Sequence, residues 1–194
     1  MQVNVQKIFG KWDIGYSLDK HTISSTFTGN NEYGHPTFDT TRTEIGEALY
    51  QLKYNSDRNK VTMLAKQIVD SLGNHFQSAS LIIPMPPSKQ RIFQPVKEIA
   101  KQVAVMMNVP YNENLLVKTS STDQMKNIPL KEERIKALCS AFKVNDALAD
   151  GQYNVLIVDD LYDTGSSLEA ATVILKQYTK INKIFVVTIT RKSP

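Results

Sequence analysis

The chain has 194 residues, 41% of them hydrophobic and 22% charged, a length that suits one domain and buries a core without covalent staples. Lys and Arg number 23 against 19 Asp and Glu, a formal charge of +4, which permits an anionic substrate and does not demand nucleic acid. The single cysteine, Cys139, excludes an internal disulfide framework and a multi-cysteine zinc knuckle and fits a reducing compartment.

Residues 1–42 are rich in Thr, Ser, Asn and aromatics. Alternation over 12–18 and 22–27 predicts two half-buried strands, and 30–36 reads as a loop. A small β-rich appendage is therefore expected over 1–42, with Trp12, Tyr16 and Phe27 as its core, followed by an α/β core over 43–194. Two helices come next. Ile45, Ala48, Leu49 and Leu52 share one face, as do Val61, Leu64, Ala65, Ile68 and Leu72, with Asp57 as candidate N-cap of the second.

An alternating β/α pattern follows. Leu81-Ile82-Ile83-Pro84 is a strand with a proline stop, and Val96, Ile99, Ala100, Val103 and Met107 form a helix stripe. Residues 118–129 read as a long polar loop and 132–138 as helix. Residues 155–158 form a wholly apolar strand. Leu168, Ala171, Leu175 and Tyr178 stripe another helix, and 184–189 is a last strand. Apolar strands alternating with helices predict a doubly wound, mostly parallel sheet covered on both faces. The first residues lack a signal-peptide core and no apolar run reaches bilayer length, so a cytoplasmic protein with no membrane partner is expected.

Ligands of open α/β sheets sit at the carboxyl ends of the strands. One such end is Val155-Leu156-Ile157-Val158-Asp159-Asp160-Leu161-Tyr162-Asp163-Thr164-Gly165-Ser166-Ser167. The Thr-Gly-Ser-Ser turn before a helix offers N–H groups and hydroxyls to an anion, and Gly165 permits close approach. Asp159 and Asp160 would repel a phosphate, so sugar hydroxyls or a hard cation such as Mg²⁺ suit them. A sugar phosphate satisfies both halves. The second strand end runs Pro84-Met85-Pro86-Pro87-Ser88-Lys89-Gln90-Arg91. Its turn, with Ser88, Lys89 and Arg91, reads either as a diphosphate site or as a rigid connector with a basic helix start. His21, His35 and His75 show no metal spacing; Lys176, Lys180 and Lys183 read as a solvated face and Cys139 as a packed thiol.

The 155–167 segment resembles the 5-phosphoribosyl-1-diphosphate (PRPP) motif of type I phosphoribosyltransferases, with Tyr162 where the pattern prefers an aliphatic residue. Three further pieces are similar to the ComF-type branch of that superfamily: Gln51-Leu52-Lys53-Tyr54-Asn55-Ser56-Asp57-Arg58; Ile83 through Gln94; and the spaced residues Lys118-Thr119, Gln124, Leu130, Arg134 and Ala141-Phe142. That branch usually begins with a cysteine-rich zinc knuckle, whose place the β-rich segment takes here.

The resemblance implies a type I fold with residues 1–42 in the hood role and 43–194 as phosphoribosyltransferase core. It implies that Asp159 and Asp160 bind the ribose hydroxyls and, directly or through them, Mg²⁺. Residues Asp163, Thr164, Gly165, Ser166 and Ser167 would cradle the 5-phosphate, and Pro87, Ser88, Lys89 and Arg91 the diphosphate. A flexible loop carrying Lys118, Lys126 and Arg134 would close over the reacting centre. The implied activity is transfer of ribose 5-phosphate to a nitrogen acceptor, with PRPP, a small-molecule acceptor and a second copy of the chain as expected partners. A PRPP- or nucleotide-sensing module without turnover and an accessory role in DNA uptake stay open as alternatives, although no basic run interleaved with aromatics supports nucleic acid. Asp163 reads either as an acid/base toward a purine-like acceptor or as the cap of the following helix.

Overall fold

The computed structural model describes residues 1–88, 92–120, 124–146 and 148–192. Among them, the strands β1 (Gln6–Lys7), β2 (Ile14–Lys20), β5 (Leu81–Pro84), β8 (Tyr153–Tyr162) and β9 (Ile181–Arg191) form one sheet in the order β1-β2-β9-β8-β5. Pairings of β2 with β9, β9 with β8 and β8 with β5 are parallel, and the edge strand β1 is antiparallel. Two hairpins stand apart: β3 (Thr22–Asn30) with β4 (Pro36–Arg42), and β6 (Leu116–Lys118) with β7 (Phe142–Val144).

Helices α1 (Glu44–Tyr54), α2 (Lys60–Leu72) and α3 (Pro95–Met107) cover one face, and α4 (Lys131–Ala141) and α5 (Ser166–Lys176) the other. Successive strand residues point to opposite faces, so β8 feeds both cores. Leu156 and Val158 pack with Leu49, Leu52, Ile68 and Ile99, while Val155 and Ile157 pack with Leu138, Leu168 and Leu175. This is the expected doubly wound, mostly parallel α/β architecture. None of the described helices is long and apolar enough to cross a membrane.

Residues 1–42 divide. β1 and β2 are strands of the central sheet, and the β3–β4 hairpin forms a sheet of its own. Trp12 is buried against the α4/α5 side, and Tyr16 stacks on His75 at 4.3 Å. Phe27 is not core. It is 56% exposed and meets Phe38 edge-on across the hairpin, because a two-stranded ribbon has no layer behind it.

Three further expectations are corrected. α2 starts after Asn59, so Asp57 is not its cap; the Asp57 carboxylate instead accepts from the Asn59 N–H at 3.2 Å and pairs with Lys60. The stretch 118–129 is not wholly loop, since Lys118 ends β6 and a short 3-10 turn spans Gln124–Asn127, while Arg134 lies in α4, in keeping with the helix expected over 132–138. Lys180 is not simply solvated, because it donates to the Leu148 carbonyl at 2.6 Å and pairs with Asp146 and Asp150.

α1 is fixed across the end of β2. The Thr43 hydroxyl caps it by accepting from the Gly46 N–H at 3.0 Å, and donates to the Lys20 carbonyl at 2.6 Å. A Cβ at Gly46 would lie 2.0 Å from the His21 carbonyl oxygen. Gly→Ala ordinarily favours a helix, but here the obstacle is backbone. Gly46→Ala is expected to cost about 1–3 kcal/mol, measured by thermal or denaturant unfolding; a neutral or stabilising result would contradict this docking.

Candidate active site

The strand β8 does not end with its buried quartet. Asp159 pairs with Thr188, Leu161 with Thr190 and Tyr162 with Arg191 along β9, so both acids are strand residues with fixed backbones. The Asp160 carboxylate turns toward α1, where Lys53 Nζ meets Oδ2 at 2.6 Å. Its backbone N–H donates to Asp159 Oδ1 at 2.9 Å, and its carbonyl accepts from the Thr190 hydroxyl at 3.0 Å. Burial pushes the Asp159 carboxyl up to about 7, reinforced by the Asp160 charge and opposed by the Asp160 N–H, Lys53 and Lys118.

After Tyr162 the chain turns sharply into α5. Gly165 is the N-cap with φ of 76°, and a Cβ there would lie 2.8 Å from the Tyr162 ring. Tyr162 packs edge-on to Trp12 at 6.3 Å and directs its hydroxyl to the Phe9 carbonyl. The aromatic residue that departs from the aliphatic pattern is therefore the floor beneath the loop. Thr164 and Ser166 hydroxyls bond to each other at 2.9 Å. Arg134 reaches Thr164 Oγ1 at 3.4 Å while its Nη2 holds the Ile128 carbonyl at 2.5 Å. Asp163 does not cap α5; its carboxylate pairs with Lys192 at 2.6 Å.

These groups face one cavity of about 600 Å³ at the carboxyl ends of β5 and β8. Asp159, Asp160, Asp163, Thr164, Ser166 and Ser167 line it together with Pro87, Ser88, Lys118 and Arg134. Gly165 is buried beneath the loop. Lys89 and Arg91 lie outside the described residues, as does the side chain of Lys126. Lys53 and Lys192 also line the cavity and were not among the sequence candidates. Lys53 had a signal, since it sits in the leucine-lysine-tyrosine piece. Lys192 had none, because it follows the last strand in an unremarkable basic end.

His21, at the end of β2, contacts Thr190 Oγ1 at 3.2 Å. Burial, with the charges of Arg42 and Lys53, holds its imidazole below the usual range. Among the described residues no three His, Cys, Asp or Glu side chains are grouped to hold a metal ion. The two acids are hard oxygen donors of the kind Mg²⁺ takes alongside water and phosphate oxygens.

No known family model and no curated protein matches the chain, so the ComF-type likeness stands on the sequence pieces. Among solved structures the chain is similar to adenine phosphoribosyltransferase from Leishmania tarentolae, at 8% identity over 97% of this chain and 94% of that one, with a TM-score of 0.49. It is also similar to orotate phosphoribosyltransferase from Aeropyrum pernix, at 13% identity over 81% and 70% of the two chains, TM-score 0.44. Against UMP synthase from Leishmania donovani the identity is 15% and the TM-score 0.41, and this chain, 83% of it aligned, spans only 27% of that one.

The raised carboxyl of Asp159 has a consequence for stability. The folded chain binds more protons here than the unfolded chain between about pH 4 and about 7, so the fold loses stability as pH rises through that window. Asp159→Asn removes the charge and is expected to raise Tm more at pH 8 than at pH 4. Equal shifts at both values, or a loss confined to pH 8, would contradict the burial of this carboxylate.

Proposed function

We propose that the chain is a Mg²⁺-dependent phosphoribosyltransferase, which binds PRPP and transfers its ribose 5-phosphate to a nitrogen acceptor with release of diphosphate. The observation that carries the reading is the meeting, in one cavity, of the strand-borne acids Asp159 and Asp160, the loop 163–167 and the turn after β5. The loop supplies hydroxyls and the first N–H groups of α5 to the 5-phosphate. The acids accept hydrogen bonds from ribose hydroxyls, which a neutral side chain would do more weakly. Ser88 and Lys118 line the same cavity and would take the diphosphate, and Arg134 reaches the loop from α4.

Displacement at C1 develops positive charge on the sugar and negative charge on the leaving group. The protein's tasks are to hold the ribose, clamp the diphosphate and exclude water. Asp159 and Asp160, with substrate oxygens and water, are the residues that would hold Mg²⁺, which when bound neutralises the departing diphosphate. Asp163, oriented by Lys192, takes the acceptor's proton as its nitrogen attacks. The acceptor is expected near residues 1–42, to which the hood role is assigned. A place in the ComF-type branch rests on the sequence pieces alone, of which Lys53, Gln94, Lys118 and Arg134 line the cavity.

PRPP with Mg²⁺ is expected to raise Tm, by mass action equivalent to about 2.7 kcal/mol at a hundred times Kd. The double variant Asp159→Asn with Asp160→Asn should lose most of that shift while remaining folded; an unchanged shift would overturn the role of the pair.

Asp163→Asn should lower turnover by about 10²- to 10⁴-fold with little change in PRPP affinity, read by diphosphate release across a panel of nucleobases and amines. Full turnover in that variant would remove Asp163 from the chemistry. Tight PRPP binding with no diphosphate release for any acceptor would instead favour a sensing module.

A further inference from the structure

The stretch 51–58 carries a resemblance that the phosphate loop and the acids leave unexplained, and the structure divides its residues by task. Leu52 is buried in the core beside Leu49. Asn55 closes α1 by returning its N–H to the Gln51 carbonyl, and Ser56 takes a left-handed φ of 58°, which turns the chain toward α2. Arg58 lies over the Phe93 ring at 4.9 Å, joining this stretch to the segment that precedes α3. Lys53 alone of the stretch lines the cavity.

Its placement is built from both ends of α1. Thr43 and Gly46 clamp the start of the helix onto Lys20 and His21, and Leu49 and Leu52 seat its middle on the sheet. Lys53 is thereby delivered from another element to the end of β8, 107 residues away in sequence, where it meets Asp160 at 2.6 Å. Both side chains are 22% exposed, so water screens the contact only in part.

A carboxylate has about four lone-pair sites. Lys53 occupies one on Oδ2 and leaves Oδ1 and the rest for sugar hydroxyls. It also answers an electrostatic difficulty: two adjacent carboxylates in a cavity meant for a polyanion repel each other and the ligand. We propose that Lys53 is a positioning residue for PRPP, which fixes Asp160 in its hydroxyl-accepting orientation and supplies the counter-charge that lets the acid pair share the cavity with phosphate groups. The inference rests on the ribose reading of the acid pair. It adds that α1 is part of the substrate site, and that Lys53 acts through Asp160 and not on the phosphates directly.

The test is a double-mutant cycle read by calorimetric titration of PRPP with Mg²⁺. Lys53→Met is expected to weaken PRPP about tenfold or more, as loss of a hydrogen bond to a charged group does, and Lys53→Arg to recover most of that affinity. In the Asp160→Asn background, Lys53→Met should cost little further. Melting curves without ligand identify folded variants, and Lys53→Gln replaces the methionine variant if the latter does not fold. Losses that add across the two sites, or a Lys53→Met affinity within about twofold of the parent, overturn the inference while leaving PRPP binding intact. A parent protein that binds no PRPP overturns the ribose reading, and this inference with it.

Discussion

Everything at the site depends on the burial of four consecutive apolar residues of β8. Val155, Leu156, Ile157 and Val158 are each fully buried, alternately in the two cores, and each such side chain contributes roughly 1.5–3 kcal/mol. With β9 on one side and β5 on the other, this strand has no freedom to shift or slide, since a one-residue slip would exchange its faces. The next residues inherit that rigidity. Asp159 and Asp160 are therefore held by the core in fixed positions, which an acid pair on a free loop could not be.

That rigidity works against the electrostatics. The same burial makes ionisation of Asp159 unfavourable, and the neighbouring Asp160 adds to the difficulty. The charges of Lys53 and Lys118, drawn from distant elements, oppose that cost, and the site's other acids are paired. Lys53 comes from α1 to Asp160, and Lys192 from beyond β9 to Asp163, each at 2.6 Å. A carboxylate that costs stability is a familiar feature of functional sites, where stability and activity trade against each other. The aromatic support under the loop follows the same logic. Tyr162 closes against Gly165 from below, leaving the upper surface of the turn to hydroxyls and N–H groups.

Much of this was legible in the sequence because it depends on local pattern. Two-sided apolar runs identified β5, β8 and β9, helical stripes identified α1, α2, α3 and α5, and the acid pair followed by Thr-Gly-Ser-Ser marked the loop. What was not legible depends on pairing across the chain. Asp159 to Tyr162 look like the start of a turn, and only the register with Thr188, Thr190 and Arg191 makes them strand. The alternation of 12–18 does predict a strand, but not that it joins the main sheet beside Phe185 and Val187. Lys53 and Lys192 carry no local signature of their partners, since each meets its carboxylate through tertiary packing. Asp57 and Phe27 were misplaced for the converse reason: local propensity favoured a cap and a core that the tertiary structure does not use.

The central claim is that the loop 163–167 and the acid pair hold the two ends of one ribose 5-phosphate. A crystal structure of the protein with PRPP and Mg²⁺ tests it most directly. The account predicts the 5-phosphate on the N–H groups and hydroxyls of Thr164, Ser166 and Ser167, and the ribose hydroxyls within hydrogen-bond distance of Asp160 with Lys53 still on its other oxygen. A 5-phosphate bound elsewhere in the cavity, or a ribose that makes no contact with either acid, would contradict it.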